Sequence, residues 1–127
     1  MNYLGIDYGK KRVGIAYSEG IQAQALLELA TAEALSRIIE LVSERKIDHC
    51  IIGLPEGPLA ASVKKFAEIL DHNIRIPLTF WDETLTSDTA KKLLLISGKS
   101  KKRQKQTEHQ LAAAIILQDF LDQRDTV

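Results

Sequence analysis

The chain has 127 residues, of which 45% are hydrophobic and 27% are charged, and its 17 basic side chains balance 17 acidic ones. This length and composition suffice to bury a core without disulfides, and they exclude a disordered or fibrous protein. With one cysteine, no apolar run near the ~18 residues of a membrane span and no charged, apolar leader, we expect a single cytoplasmic domain over residues 1–127 without membrane contact.

Two short strands are predicted at the start of the chain, within LGIDYGKKRVGIAY at residues 4–17. Apolar residues alternate with smaller or polar ones on both sides of Gly9, which allows a tight reversal, so the segment is typical of a β-hairpin. Asp7 then lies where the first strand meets the turn. It has two interpretations: a turn former that bonds its own backbone, or a residue presented for chemistry at the rim of the sheet.

The middle of the chain alternates between helical and strand patterns. Apolar residues recur at helical spacing in two segments, and each is followed by a short apolar run typical of a strand covered on both faces. In chain order the predicted elements are a helix over 31–46, a strand over 49–54, a helix over 59–70 and a strand over 76–81. This order predicts parallel strands with right-handed crossovers, and residues 25–30 fit either a third strand or the start of the first helix.

The final third is predicted to hold two helices, over 87–97 and 107–123, separated by a basic segment. This segment, KSKKRQK at 99–105, has five cations and no acid, and we interpret it as a mobile loop that contacts a polyanion. A solubilising surface loop is the alternative. Its cations are Lys99, Lys101, Lys102, Arg103 and Lys105. The hairpin, the alternating unit and the last helices together predict a mixed sheet flanked by helices.

Acidic residues follow two of the predicted strands. Asp82 and Glu83 come directly after the strand that ends at Trp81, and Asp7 stands at the equivalent end of the first strand. Ligands bind at the carboxyl ends of strands in open α/β sheets. If these two strands are neighbours, Asp7 and Glu83 lie close together, and a divalent cation such as Mg²⁺ relieves their repulsion. Otherwise Asp82 is an acid at the start of a helix and Glu83 is solvated.

A histidine near the start of the last predicted helix is the third candidate. Thr107 and Gln110 fit a capping box, which makes Thr107 the N-cap and places His109 in the first turn. His109 shares a helical stripe with Ala113 and so points toward the sheet, where the helix dipole favours a neutral imidazole able to bind a metal or accept a proton. The alternative is a hydrogen-bonded core histidine, and Glu108 is then the substitute third ligand.

Four segments of the chain resemble the YqgF family, also called RuvX, of the ribonuclease H-like superfamily related to the RuvC Holliday junction resolvases. They are GIDYGKKRVGIA at 5–16, IIGLP at 51–55, DETLTS at 82–87 and LAAAIILQDFLD at 111–122. The resemblance implies an α/β, ribonuclease H-like fold with a five-stranded mixed sheet flanked by helices. It also implies a metal-dependent phosphodiesterase that matures the 5′ end of 16S ribosomal RNA, with Holliday junction resolution as an alternative.

Matching positions carry the family's site onto this sequence. The resemblance places Asp7 and Glu83 at the first two acidic positions and makes Arg12 the signature arginine. Lys105 matches the lysine four residues before the third acid, and His109 stands where the family usually has that third acid, an aspartate. Two further departures from the family pattern are Thr84, in place of the usual arginine, and a shortened turn over 55–62.

These residues lead to the hypothesis of phosphodiester hydrolysis by water, with one or two Mg²⁺ or Mn²⁺ ions held by Asp7, Glu83 and His109. Arg12 and the basic segment at 99–105 would bind backbone phosphates of precursor ribosomal RNA or branched DNA, in a monomer or a weak homodimer. A rival hypothesis keeps nucleic-acid binding without catalysis, because a neutral His109 adds no charge to hold a metal. A third, a phosphotransferase, rests on the likeness of GIDYG to the phosphate loop of actin-like sugar kinases, but the chain is too short for their two lobes.

Overall fold

The computed structural model describes residues 1–82 and 101–124, with the side chains of the last helix described from residue 108 onward. Its elements, in chain order, are β1 (Tyr3–Tyr8), β2 (Arg12–Ser18), β3 (Gln24–Ala30), α1 (Thr31–Glu44), β4 (His49–Leu54), α2 (Leu59–Asn73), β5 (Leu78–Asp82) and α3 (Lys101–Arg124). The hairpin, the two middle helices and the two strands that follow them confirm the predictions from periodicity. Residues 25–30, which fitted either a strand or a helix start, belong to β3. The helix predicted over 87–97 lies outside the described residues.

The five strands form one mixed sheet in the order β3-β2-β1-β4-β5, which confirms the predicted architecture. The pairs β1–β2 and β2–β3 are antiparallel, whereas β1–β4 and β4–β5 are parallel. The sequence analysis placed Asp7 close to Glu83 only if the strands that end near Asp7 and Trp81 are neighbours. That assumption is wrong, because β4 lies between β1 and β5. The sequence HCIIGL makes β4 apolar over most of its length, and such a strand is stable in the position covered on both faces.

Each face of the sheet is covered by helices and has its own apolar cluster. Leu4 and Ile6 of β1 pack with residues of α1 and α2, whereas Tyr3 packs with residues of α3. This alternation follows from the period of two along a strand. Gly5 and Asp7 of the same strand consequently belong to the face that α3 covers.

Two glycines let α3 lie close to the sheet. A Cβ atom added at Gly5 would come within 2.8 Å of the carbonyl oxygen of Ala113, and one at Gly14 would lie 2.0 Å from the carbonyl group of His109. Both obstacles are backbone atoms of α3, so a side chain at either position would push the helix away from the strands. The position of His109 over the sheet therefore depends on the absence of a side chain at Gly14.

The last helix begins earlier than the sequence predicted, because α3 already includes Lys101. The prediction of a mobile loop is therefore wrong for Lys101, Lys102, Arg103 and Lys105. Lysine, arginine and glutamine have high helix propensity, and residues 101–106 contain neither glycine nor proline. Thr107 is consequently an interior residue, and its interpretation as an N-cap is wrong. Within the described ranges no helix, α3 included, has the length and apolar character needed to cross a membrane.

We expect Gly14→Ala to destabilise the fold, because the added methyl group meets the α3 backbone at His109. Overpacking of a tight contact costs about 1–3 kcal/mol. The free energy of unfolding from urea titrations should therefore fall by about 1 kcal/mol or more. Ala61→Ser adds one heavy atom on the exposed side of α2 and is the matched control, with an expected change below about 0.5 kcal/mol. An unchanged urea midpoint for Gly14→Ala would contradict the close packing of α3.

Candidate active site

The carboxyl end of β1 carries a buried carboxylate. Asp7 is 3% exposed, and its Oδ2 atom lies 2.7 Å from Nδ1 of His109. Its other oxygen, Oδ1, is buried and has no hydrogen-bond partner among the described residues. The structure thus brings together two of the three residues predicted to bind metal, and no donor from the described part of the chain reaches the second Asp7 oxygen.

The turn between β1 and β2 holds the imidazole of His109 in place. Thr31, the first residue of α1, donates its backbone N–H to the carbonyl of Lys11 at 3.0 Å and its hydroxyl to the carbonyl of Gly9 at 2.8 Å. A Cβ atom at Gly9 would come within 2.8 Å of Cε1 and 3.2 Å of Nε2 of His109, so the ring lies against the backbone of this turn. The start of α1 therefore fixes the turn, and the turn and Asp7 together fix the ring.

His109 is a stronger base than an ordinary histidine. Its pKa is raised above 6.5, first by the hydrogen bond to Asp7 and then by the charges of Asp7, Glu28 and Glu108, against the opposing effect of burial. The expectation of a neutral imidazole at a helix N-terminus is wrong, because α3 begins well before His109. Since the folded-state pKa is raised, the ion pair contributes fully to stability below about pH 6.5. This contribution is lost as the pH rises through the folded-state pKa.

A second buried carboxylate, which the sequence analysis missed, lies on the same face of the sheet. Gly14 of β2 pairs with Asp7 of β1 on one side and with Glu28 of β3 on the other. Directly opposite residues of antiparallel strands share a face. The Glu28 side chain is 4% exposed, and its Oε1 atom accepts a hydrogen bond from Nε of Arg12 at 3.2 Å. An acid within the apolar run ALLELA was the signal that could have found it.

Three consecutive cations follow Gly9: Lys10 and Lys11 lie in the turn between β1 and β2, and Arg12 is the first residue of β2. Lys10 and Lys11 are exposed, and the side chain of Arg12 is 52% exposed. Arg12, a predicted nucleic-acid contact, thus lies between solvent and Glu28. Lys10 and Lys11 were missed, although the run GKKR after the first strand contains them. Of the other predicted contacts, Lys101, Lys102, Arg103 and Lys105 have side chains outside the described part of the chain, as does the whole of Lys99.

The second predicted acid, Glu83, lies outside the described residues, and so does Thr84. Glu108, the substitute third ligand, is exposed. Among the residues that the structure describes, no three His, Cys, Asp or Glu side chains form a group arranged to hold a metal. The pair of Asp7 and His109 nevertheless fits part of a divalent-cation site, because it offers a carboxylate oxygen without a partner and an imidazole nitrogen.

Known proteins match the chain along nearly its whole length. A family model described as "RuvX: Holliday junction resolvase" matches residues 1–123. A protein of Listeria innocua named "Putative pre-16S rRNA nuclease" is 35% identical over 135 residues, covering 96% of this chain and 98% of the relative. A protein of the same name from Syntrophomonas wolfei is 36% identical over 133 residues, covering 96% of this chain and 94% of the relative.

Two solved resolvase structures share the architecture. RuvC of T. thermophilus, in complex with a Holliday junction substrate, has a TM-score of 0.67 at 14% identity, covering 100% of this chain and 97% of that one. Fowlpox virus resolvase, in complex with Holliday junction DNA, has a TM-score of 0.68 at 11% identity, covering 98% and 99%. At these identities the likeness concerns the fold, and it confirms the predicted ribonuclease H-like class.

We expect the pKa of His109 to fall when Asp7 is replaced by asparagine, because the hydrogen bond and negative charge that favour imidazolium are lost while burial still lowers the pKa. NMR titration of the imidazole protons should give a value above 6.5 in the wild type and a lower one in Asp7→Asn. His49, whose pKa is lowered by burial and by Arg124, is the internal control and should titrate alike in both proteins. Equal His109 values would contradict the ion pair.

Proposed function

The chain belongs to the RuvX family, and on that premise we propose that it is a metal-dependent nuclease that hydrolyses phosphodiesters in the 5′-end processing of precursor 16S ribosomal RNA. One observation carries the proposal: the buried Asp7 carboxylate at the end of β1 has one oxygen on His109 and the other without a partner among the described residues. A buried polar atom of this kind is costly unless a ligand satisfies it. The names of the relatives support the choice of substrate.

We assign Asp7, Glu83 and His109 as the residues that would hold one or two Mg²⁺ or Mn²⁺ ions. When bound, such a dication supplies Lewis-acid stabilisation of the phosphoryl oxygens and a water nucleophile near neutral pH. Asp7 contributes its unpartnered oxygen and keeps the imidazole of His109 oriented. His109 must be neutral to act as a ligand, so a metal and a proton would compete for its ring. Glu83, directly after β5, adds the second carboxylate of the family's pattern.

Cations near the site would hold the substrate by its phosphates. The exposed side chains of Lys10, Lys11 and Arg12 follow the strand that carries Asp7, and the basic start of α3 precedes His109 in the chain. Contacts to phosphates give affinity that falls with salt and carry no sequence information. The shape of the precursor RNA would therefore determine where it is cleaved.

A Holliday junction resolvase is the second candidate. It is favoured by the description of the matching family and by two structural neighbours solved with junction DNA. The same acids, histidine and cations would serve, because both substrates present a phosphodiester. Symmetric cleavage of a four-way junction would in addition need a two-fold dimer.

We expect the wild type to cleave a precursor 16S fragment that carries its 5′ extension when Mn²⁺ is present. Asp7→Asn should be slower by roughly 100-fold or more, because several kcal/mol of charge stabilisation are lost, and Glu83→Gln should lose a similar factor. Asp71→Asn changes an exposed aspartate of α2 and is the matched control, which should keep the wild-type rate. Product formation on denaturing gels gives the rates.

Equal rates for the wild type and Asp7→Asn would contradict the nuclease proposal. A four-way DNA junction assayed in parallel separates the two substrates, and cleavage of the junction alone would favour the resolvase. Binding of the RNA without cleavage of either substrate would leave a catalytically weak nucleic-acid-binding domain.

We expect the double variant Lys10→Ala, Lys11→Ala to bind precursor RNA more weakly. The slope of log affinity against log salt should fall by about 1–2, because each lysine neutralises about one phosphate. The double variant Lys64→Ala, Lys65→Ala removes the same charge from α2, on the face opposite α3, and should leave both quantities nearly unchanged. Fluorescence anisotropy at several KCl concentrations measures them, and equal effects of the two variants would contradict a binding role for the turn.

A further inference from the structure

Two buried carboxylate oxygens on the α3 face of the sheet have no hydrogen-bond partner among the residues that the structure describes. They are Oδ1 of Asp7 and Oε2 of Glu28, and no other buried side-chain nitrogen or oxygen in the described part of the chain is unpartnered. Folded proteins seldom leave such atoms unsatisfied, so each one calls for a physical reason. Their occurrence in one row of the sheet suggests a shared reason.

The row is defined by the strand register. Asp7 and Glu28 each lie directly opposite Gly14, which separates them and contributes no side chain. The space above Gly14 is taken by the α3 backbone at His109, since a Cβ atom there would lie 2.0 Å from its carbonyl group. The His109 backbone thus lies over Gly14, between the two carboxylates of the row. Its ring is bonded to Asp7 through Nδ1, and the charge of Glu28 also acts on it.

We propose that Glu28 is a further metal-site residue, whose carboxylate supplies negative charge on the His109 side of the cation held at Asp7. This inference rests on the proposed metal-dependent function. With a neutral His109, the assigned residues Asp7, Glu83 and His109 provide two negative charges, one fewer than they would with an aspartate at position 109. Glu28 supplies a further negative charge on that side, where a histidine rather than an acid projects from α3.

Binding of the cation would change the partner of Glu28. In the structure its Oε1 atom is bonded to Nε of Arg12, and the side chains of Asp7, Glu28 and His109 do not form a closed group of metal ligands. A rotation of the Glu28 carboxylate away from Arg12 and toward His109 would bring its charge to the cation. The guanidinium of Arg12 is half-exposed and can remain in water when this happens.

The simpler interpretation makes Glu28 only the ion-pair partner of Arg12. That role accounts for Oε1 but leaves Oε2 buried and without a partner within residues 1–82 and 108–124. An ion pair with one half-exposed member stabilises a protein little, whereas a buried acceptor without a donor is costly. The ion pair alone therefore gives no reason to bury an acid in β3.

The test measures Mn²⁺ affinity of the full chain by electron paramagnetic resonance of free Mn²⁺, without substrate. We expect Glu28→Gln to weaken Mn²⁺ binding about tenfold, and Glu28→Asp to weaken it less because the charge is kept. Arg12→Gln should bind Mn²⁺ at least as tightly as the wild type, because it frees the carboxylate. Glu33→Gln, at an exposed acid in the first turn of α1, is the matched control and should bind like the wild type.

Three results would overturn the inference: wild-type affinity in Glu28→Gln, equal affinities in Glu28→Gln and Glu28→Asp, or an equal loss in Glu28→Gln and Arg12→Gln. The last would mean that Glu28 acts only through Arg12. Comparing Glu28→Gln with Glu28→Asp at equal folded fraction, measured by circular dichroism, removes any effect of lost stability. Asp7→Asn separates this inference from the proposed function, because unchanged Mn²⁺ binding in that variant would refute the metal site as a whole.

Discussion

The hydrogen bond between Asp7 and His109 joins two segments that are 102 residues apart in the chain. It can form because α3 lies directly on the backbone of β1 and β2, at Gly5 and Gly14, where any side chain would meet the helix. The Asp7 carboxylate is buried by this packing and needs a cationic or donor partner to be stable there. The close approach of α3 to the sheet thus buries Asp7 and also brings His109, which compensates for that burial, within hydrogen-bond distance.

Each of the two buried acids under α3 has one basic partner among the described residues. Asp7 is paired with His109 and Glu28 with Arg12, and each carboxylate has one buried oxygen that no described residue contacts by a hydrogen bond. The imidazole of His109 gives the deeper acid a hydrogen-bond partner in the absence of a metal. A dication at the proposed site would compete with a proton for the ring of His109. The raised pKa of His109 means that the competition becomes easier for the metal as the pH increases.

Local patterns predicted the parts of the fold that local physics determines. Alternation in the hairpin and helical spacing after Thr31 gave the correct elements, because burial of one face dictates both periods. The start of α3 was misjudged, because Thr107 and Gln110 form a plausible cap that the helix propensity of the preceding basic residues overrides. Glu28 was missed for a different reason. Its place beside Asp7 follows from the register of β1, β2 and β3. That register is fixed by tertiary packing, which the sequence of one segment does not contain.

Arg12 would connect the proposed cation site with the proposed RNA substrate. Its Nε donor is bonded to the buried Glu28, and the rest of its guanidinium faces water, where a phosphate of the RNA would approach. If a cation draws the Glu28 carboxylate away, that donor becomes available to a phosphate oxygen, which is a stronger acceptor for arginine than water. Metal binding and nucleic-acid binding would then favour each other, because both are opposed by the same Arg12–Glu28 pair and thermodynamic coupling is reciprocal. Through Arg12, the affinity for RNA would in this way depend on whether a metal ion occupies the site.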